Sequence, residues 1–210
     1  MSAATSPLAR LLHRLRYALY GHRAGLGRPV PPRALDNEYI SGAWDHFFGP
    51  GELARHELLV RLIHQARPRP RLLDLGCGSG RLASLLQPAQ LTAYLGVDLS
   101  IAGLDRARAL NLPHGNFACH DFEEWTPAPA SFDVITFNEC LGYAADPLAT
   151  ALRFADTMPA DGTLLVSHFR ATNHAAFWQR LGRRFDFPLQ DVVTNPAGQS
   201  WDLRRLVLRS

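Results

Sequence analysis

Three glycines alternate at positions 76, 78 and 80, directly after the apolar run Leu72-Leu73-Asp74-Leu75. Glycine is needed where a chain turns sharply or lets a ligand approach its backbone. Such a loop is expected to leave N–H groups free for a polar or negative ligand group, and a helix starting at Arg81-Leu82-Ala83 adds the donors of its first turn. Asp98 stands eighteen residues beyond Gly80, at the end of the next apolar run. A carboxylate there can accept both hydroxyls of a ribose, although it could instead cap the helix that begins near Ser100. The spacing is GxGxG and not the GxGxxG of dinucleotide proteins, and an acid, Asp74, precedes the glycines by two residues. Cys77 within the loop reads as a small packing residue.

Proton-transfer groups are sought at the C-terminal ends of strands, where open α/β sheets bind ligands. Asn138, Glu139 and Tyr143 follow one apolar run and His168 closes another. A histidine is suited to accept a proton near neutral pH, so His168 is the first candidate base and Glu139 the second, with a packed or substrate-lining His168 as the plainer alternative. Upstream, Tyr39 and Trp44 lie in the aromatic stretch Tyr39–Phe47 and are candidate lid residues, or else fasteners of the N-terminal segment.

The elements that would hold these residues follow from the apolar pattern. Short apolar runs at Arg71–Leu75, Leu91–Val97, Asn116–Cys119, Val134–Phe137 and Leu164–Phe169 alternate with helical stretches at Gly80–Leu86, Ile101–Leu110, Pro147–Thr157 and Asn173–Phe185. That alternation predicts a doubly wound, Rossmann-like α/β domain with a mainly parallel sheet. Gln190–Thr194 and Trp201–Leu208, joined by a Pro-Ala-Gly turn, predict an antiparallel C-terminal hairpin. Glu52–Ala66 is a further helix with its stripe at Leu53, Leu58, Leu59, Leu62 and Ile63, and residues 21–36 read as a Gly/Pro/Arg-rich linker. The expected division is a helical lid segment, 1–70, and a core, 71–210, of one domain.

The chain of 210 residues contains no lysine, so all 22 basic residues are arginine, which excludes Schiff-base chemistry and a P-loop lysine. Cys77, Cys119 and Cys140 form no CxxC pair, which argues against a disulfide framework or structural zinc and for a reducing, cytoplasmic setting. Residues 1–35 carry six arginines and no acid, and Leu8, Leu11, Leu12, Leu15 and Leu19 share one helical face. Such a helix over residues 7–20 can rest on an anionic membrane or a nucleic acid; the plainer reading is an accessory helix covering its own domain.

Five segments together resemble the class I S-adenosylmethionine (SAM)-dependent methyltransferase family, in its order and spacing, from about Arg71 to Arg209. They are Leu72–Gly80, Gly96–Ser100, Cys119–Phe122, Phe132–Glu139 and Asp161–Val166. The resemblance implies a seven-stranded sheet, with Asp74 and the backbone of Gly76, Cys77, Gly78 and Gly80 at the methionine part of SAM. It also implies Asp98 on the ribose, Leu99 against the adenine, Asp121 at the adenine amino group with Phe122 beside it, and Asn138 lining the methyl-donor pocket. S-adenosylhomocysteine (SAH) would be the product, and no metal is implied. Asn138-Glu139-Cys140-Leu141 stands where amino-methylating DNA and protein enzymes carry (Asn/Asp)-Pro-Pro-(Tyr/Phe), so the resemblance points to the small-molecule type. An RNA or protein methyltransferase using the arginine-rich N-terminus, or a SAM-binding protein without transfer activity, stay as alternatives.

Overall fold

In the computed structural model, which describes residues 12, 15–170 and 173–209, the expected alternation closes into one seven-stranded sheet. The strands are β1 (Arg71–Leu75), β2 (Ala93–Asp98), β3 (Phe117–Cys119), β4 (Val134–Asn138), β5 (Thr163–Phe169), β6 (Phe185–Thr194) and β7 (Ser200–Leu208). Their spatial order is β3-β2-β1-β4-β5-β7-β6. β3 to β5 are parallel, whereas β7 runs antiparallel to both β5 and β6. The order reverses at β1, so the crevice outside the C-terminal ends of β1 and β4 is the topological switch point.

The helices are α1 (Pro32–Ile40), α2 (Pro50–Ala66), α3 (Arg81–Leu85), α4 (Ile101–Ala109), α5 (Pro147–Ala155) and α6 (His174–Leu181). Buried β1, β2, β4 and β5 carry near-continuous apolar runs because both sheet faces are covered. One face packs Leu72, Val134 and Leu165 against Leu58, Leu59, Leu62 and Ile63 of α2 and Leu82 of α3. The other packs Ile135, Phe137 and Val166 against Phe154 of α5 and Phe177, Trp178 and Leu181 of α6. Asp146 caps α5, its carboxylate accepting from the Leu148 and Ala149 N–H groups ahead of Pro147 at the first helical position. α6 stops at Leu181, short of the expected Phe185, because Phe185 is drawn into β6. Pro188 is tolerated in β6 because that strand is the sheet's outer edge and its pairing with β7 is irregular between Asp186 and Leu189.

The expected linker over 21–36 is corrected. Residues 32–36 are the start of α1, where Pro32 supplies a helix-compatible first turn, and Gly21, Gly25, Leu26 and Gly27 are buried as a strap across the domain. Part of the expected N-terminal helix lies outside the described residues. Its described leucines, Leu12, Leu15 and Leu19, are exposed, which corrects the reading of a helix that covers its own domain. No helix among the described residues is long and apolar enough to cross a membrane.

Candidate active site

The loop after β1 turns over the C-terminal edge of the sheet with Gly76, Gly78 and Gly80 at φ values of 70°, 51° and 82°. A β-carbon would lie 2.4 Å from Cys140 Cβ at position 76 and 2.4 Å from the Tyr39 hydroxyl at position 78. Both the backbone conformation and the space therefore demand glycine. The expected free donors are a correction. Gly76 and Cys77 donate to the Val97 carbonyl at 2.8 and 3.1 Å, Gly80 donates to the Cys77 carbonyl, and Gly78 donates to Asp98 Oδ2 at 2.9 Å. The loop is thus tied to β2, and its N–H groups at these positions are spent on shaping it.

Asp98 is the hinge of this arrangement. Its second oxygen accepts the Ser100 N–H at 2.8 Å, which leaves each carboxylate oxygen one further acceptor site. Burial raises its pKa, and the Ser100 and Gly78 N–H groups pull it back. The cap of α4 is Ser100, whose hydroxyl accepts from the Gly103 N–H, so Asp98 does not serve as the cap itself. Asp74 lies beneath the loop, fully buried, and accepts from the Thr136 hydroxyl at 2.9 Å and the Tyr94 hydroxyl at 3.1 Å. Burial lifts its pKa to about 7 against those two hydrogen bonds. Its side chain faces inward and supports the loop from below.

Tyr39, on the last turn of α1, roofs the loop. Its ring also presses on α4, 3.0 Å from where a β-carbon of Gly103 would stand. The Tyr39 hydroxyl has no hydrogen-bond partner among the described residues, and burial and the Asp98 charge push its pKa well above the usual tyrosine range. Asp36, one turn earlier, pins α1 to α4 by accepting from the Ser100 hydroxyl at 2.7 Å and the Ala102 N–H at 3.1 Å. Trp44 donates to Glu38 at 3.1 Å and stacks on Phe47, with Tyr39 6.2 Å away. Beyond β2, Leu99 is half-buried beside Asp98. Asp121 accepts the Glu123 N–H at 2.9 Å and so shapes a turn, while Phe122 packs edge-on against Phe137.

Asn138 and Glu139 end β4 in a buried polar network. Glu139 adopts φ 61°, a left-handed conformation that costs a non-glycine residue roughly 1–3 kcal/mol. Its carboxylate accepts from the Ser167 hydroxyl and, at 2.9 Å, from the Phe169 N–H. Asn138 accepts from Arg55 of α2, whose guanidinium also reaches Ser167 at 3.3 Å and Glu52 at 2.8 and 2.9 Å. His56 faces the same guanidinium at 3.3 Å, and burial and the Arg55 charge drive its pKa down to about 3. The sequence reading missed Glu52, Arg55, His56 and Ser167. The helical stripe through Leu59 and Ile63, traced backward, meets polar residues at 56, 55 and 52, which is the signal that marks the site end of α2.

His168 projects from the other face of β5. It stacks on Phe177 with ring centroids 3.8 Å apart, and its Nε2 is buried without a partner. Burial lowers its pKa to about 4. Next to it, Tyr143 is lifted to about 12 by burial and by the charges of Glu139 and Glu38. The strap closes over this corner: Arg28 donates to the Gly142 carbonyl at 2.9 Å, and Arg180 of α6 donates to the Ala24 carbonyl at 3.3 Å. A β-carbon at Gly27 would lie 1.9 Å from the Ala144 carbonyl oxygen. The structure therefore gathers the glycine loop, Asp98, Tyr39, Asn138 and Glu139 at the switch point. His168 stands apart under the strap. Among the described residues no His, Cys, Asp or Glu cluster could hold a metal ion.

Residues 49–204 match the family model described as a methyltransferase domain. The chain is 27% identical over 165 residues to the malonyl-[acyl-carrier protein] O-methyltransferase of Anoxybacillus flavithermus, covering 75% of this chain and 62% of that protein. The curated relatives it matches first are thus spanned over 43% to 62% of their own length. Among solved structures, the N-methyltransferase NodS of Bradyrhizobium japonicum, in complex with SAH, superposes with a TM-score of 0.69 at 20% identity, covering 85% of this chain and 98% of that one. The [4+2]-cyclase SpnF superposes with a TM-score of 0.68 at 14% identity, covering 87% and 98%.

Proposed function

The chain belongs to the class I SAM-dependent methyltransferase family, and on that premise we propose that it moves the methyl group of SAM onto a small-molecule acceptor by direct in-line displacement. The observation that carries this reading is Asp98, a buried carboxylate at the switch point with one acceptor site left on each oxygen, beside a loop that only glycine can form. The two remaining acceptor sites suit the two hydroxyls of a ribose. The Tyr39 hydroxyl, which stands over Gly78 with no hydrogen-bond partner among the described residues, is a second polar group that such a ligand could engage.

When bound, SAM supplies an already activated methyl group, because its sulfonium is a good leaving group. The chain's share is to bind, orient and exclude water. Asp98 would hold the ribose, Leu99 and Phe122 would flank the adenine, and the second oxygen of Asp121 would be free for its amino group. Gly76, Cys77, Gly78 and Gly80 form the wall along the methionine part, with Asp74 supporting it. Asn138 and Glu139, held from behind by Arg55 and Ser167, line the methyl-donor end. Tyr39 and Trp44 close the roof. His168 is neutral at physiological pH, and its buried Nε2, apart from these residues, favours a packed histidine under the strap over a proton acceptor.

Calorimetric titration with SAM and SAH tests the reading. We expect micromolar binding that weakens at least about thirtyfold in Asp98→Ala, roughly 2 kcal/mol, the scale of one charge-assisted hydrogen bond. Because Asp98 also holds two backbone N–H groups, Asp98→Asn is titrated in parallel and both variants are checked for cooperative unfolding. A folded Asp98→Ala protein that binds SAM as the wild type does would defeat the assignment.

A further inference from the structure

The first 35 residues carry six arginines and no acidic residue, and leucines 8, 11, 12, 15 and 19 recur at helical spacing. Leu12, Leu15 and Leu19 are 57%, 54% and 79% exposed, and Tyr20 is 45% exposed. Leu26, within the strap that follows, is only 2% exposed. An accessory helix packed on its own domain would bury that stripe in the same way. Here the strap from Gly21 to Arg28 is fastened at Gly142, Ala144, Ala176 and Arg180, while the stripe just before it faces outward. The Arg16 guanidinium sits 5.7 Å above the Tyr20 ring, so cationic and aromatic groups stand together beside the exposed leucines.

Exposed leucines, arginines and no acid match the boundary of an anionic bilayer, where apolar side chains enter the acyl region and guanidinium groups meet phosphates. A nucleic acid would engage the arginines and leave the leucines in water. We propose that the exposed residues Leu12, Leu15, Arg16, Leu19 and Tyr20 belong to a peripheral anchor for an anionic lipid bilayer, tethered by the strap so that the His168 side of the domain is set close to the membrane surface. The acceptor then reaches the site from the bilayer or its interface, which extends the proposed function to an amphipathic or lipid-borne acceptor.

Co-sedimentation of the full chain with vesicles tests the anchor. The protein should pellet with phosphatidylcholine vesicles containing about one quarter phosphatidylglycerol at low salt, and stay in solution with phosphatidylcholine alone. Leu15→Ser/Leu19→Ser should lower vesicle affinity about tenfold, and Arg10→Gln/Arg14→Gln/Arg16→Gln should remove the dependence on anionic lipid. SAM titration of the same samples should be unchanged, which keeps this result separate from the cofactor assignment. The proposal is overturned if the wild type ignores both vesicle types, or if the serine variant pellets like the wild type. It is equally overturned if single-stranded RNA binds wild type and serine variant alike and strips the wild type from vesicles, since the arginines would then serve a nucleic acid.

Discussion

Arg55 is the largest fully buried side chain of the described residues, and its guanidinium makes contacts with Glu52, His56, Asn138 and Ser167. Removing one member of a buried ion pair leaves the other uncompensated, at a cost of about 3–5 kcal/mol. Arg55→Met should therefore lose stability on that scale in urea unfolding. Glu52→Met/Arg55→Met should recover most of it, because both charges leave together. SAM affinity should stay low in the double variant, as Asn138 and Ser167 have lost their anchor. A double variant no more stable than Arg55→Met would refute the pairing. His168 makes a second residue-scale test. Its folded pKa of about 4 lies below the ordinary value of 6.5, so the unfolded chain takes the proton first as pH falls. Stability from this group is complete above about pH 6.5 and is lost progressively down to about pH 4. His56, at about 3, adds the same slope over a longer range, and Asp74, at about 7, opposes it because its folded form gains a proton as pH falls below 7. His168→Phe should lose less stability than the wild type between those two pH values. Parallel loss in denaturant titrations would mean that the imidazole is not held neutral.

At the scale of elements, the strap is the segment with the tightest steric demand. Gly27→Ala would drive a methyl group into the Ala144 carbonyl, whereas Gly198→Ala, in the β6–β7 turn, meets no atom within 4 Å. Gly27→Ala should raise the rate of limited proteolysis between residues 21 and 30 about tenfold, as expected when a docked segment opens locally. It should also lower turnover of an acceptor while leaving SAM affinity intact, and Gly198→Ala should change neither. The five parallel strands, the helices between them, the hairpin and the glycine loop were all legible from apolar period and turn residues, because those signals are local. The strap and α1 were not. Pro31, Pro32 and three glycines look the same in a free linker as in a segment pressed onto a surface more than 110 positions away. The Arg55 network was hidden for the same reason, since Arg55 and Asn138 are 83 positions apart. Asp74, Asp98, Gly76, Gly78 and Gly80 stand at the switch point as read, but the loop N–H groups face β2, a direction that spacing alone does not encode.

For the whole molecule, the sheet order brings the far ends of β1, β2 and β4 to one crevice and the hairpin to the opposite edge, away from Asp98. A ligand bound only by the folded chain stabilises it by about 2.7 kcal/mol at a hundred times its dissociation constant. For a chain of this size each kcal/mol raises Tm by about 2–4 °C. SAM or SAH at that excess should thus raise Tm by roughly 5–10 °C, and an unmoved transition in scanning calorimetry would argue against a preformed cofactor site. The strap carries one more consequence, for the order in which the protein is made. Ala24 leaves the ribosome well before its partner Arg180, which is 156 positions later. Gly142 and Ala144, which the strap also crosses, are themselves more than 110 positions behind it. The cofactor crevice, built mostly from residues up to Glu139, can thus take shape on a nascent chain while the N-terminal segment is still loose. The acceptor corner is finished only after α6 has emerged, so the strap is fastened over a part of the chain made well after it.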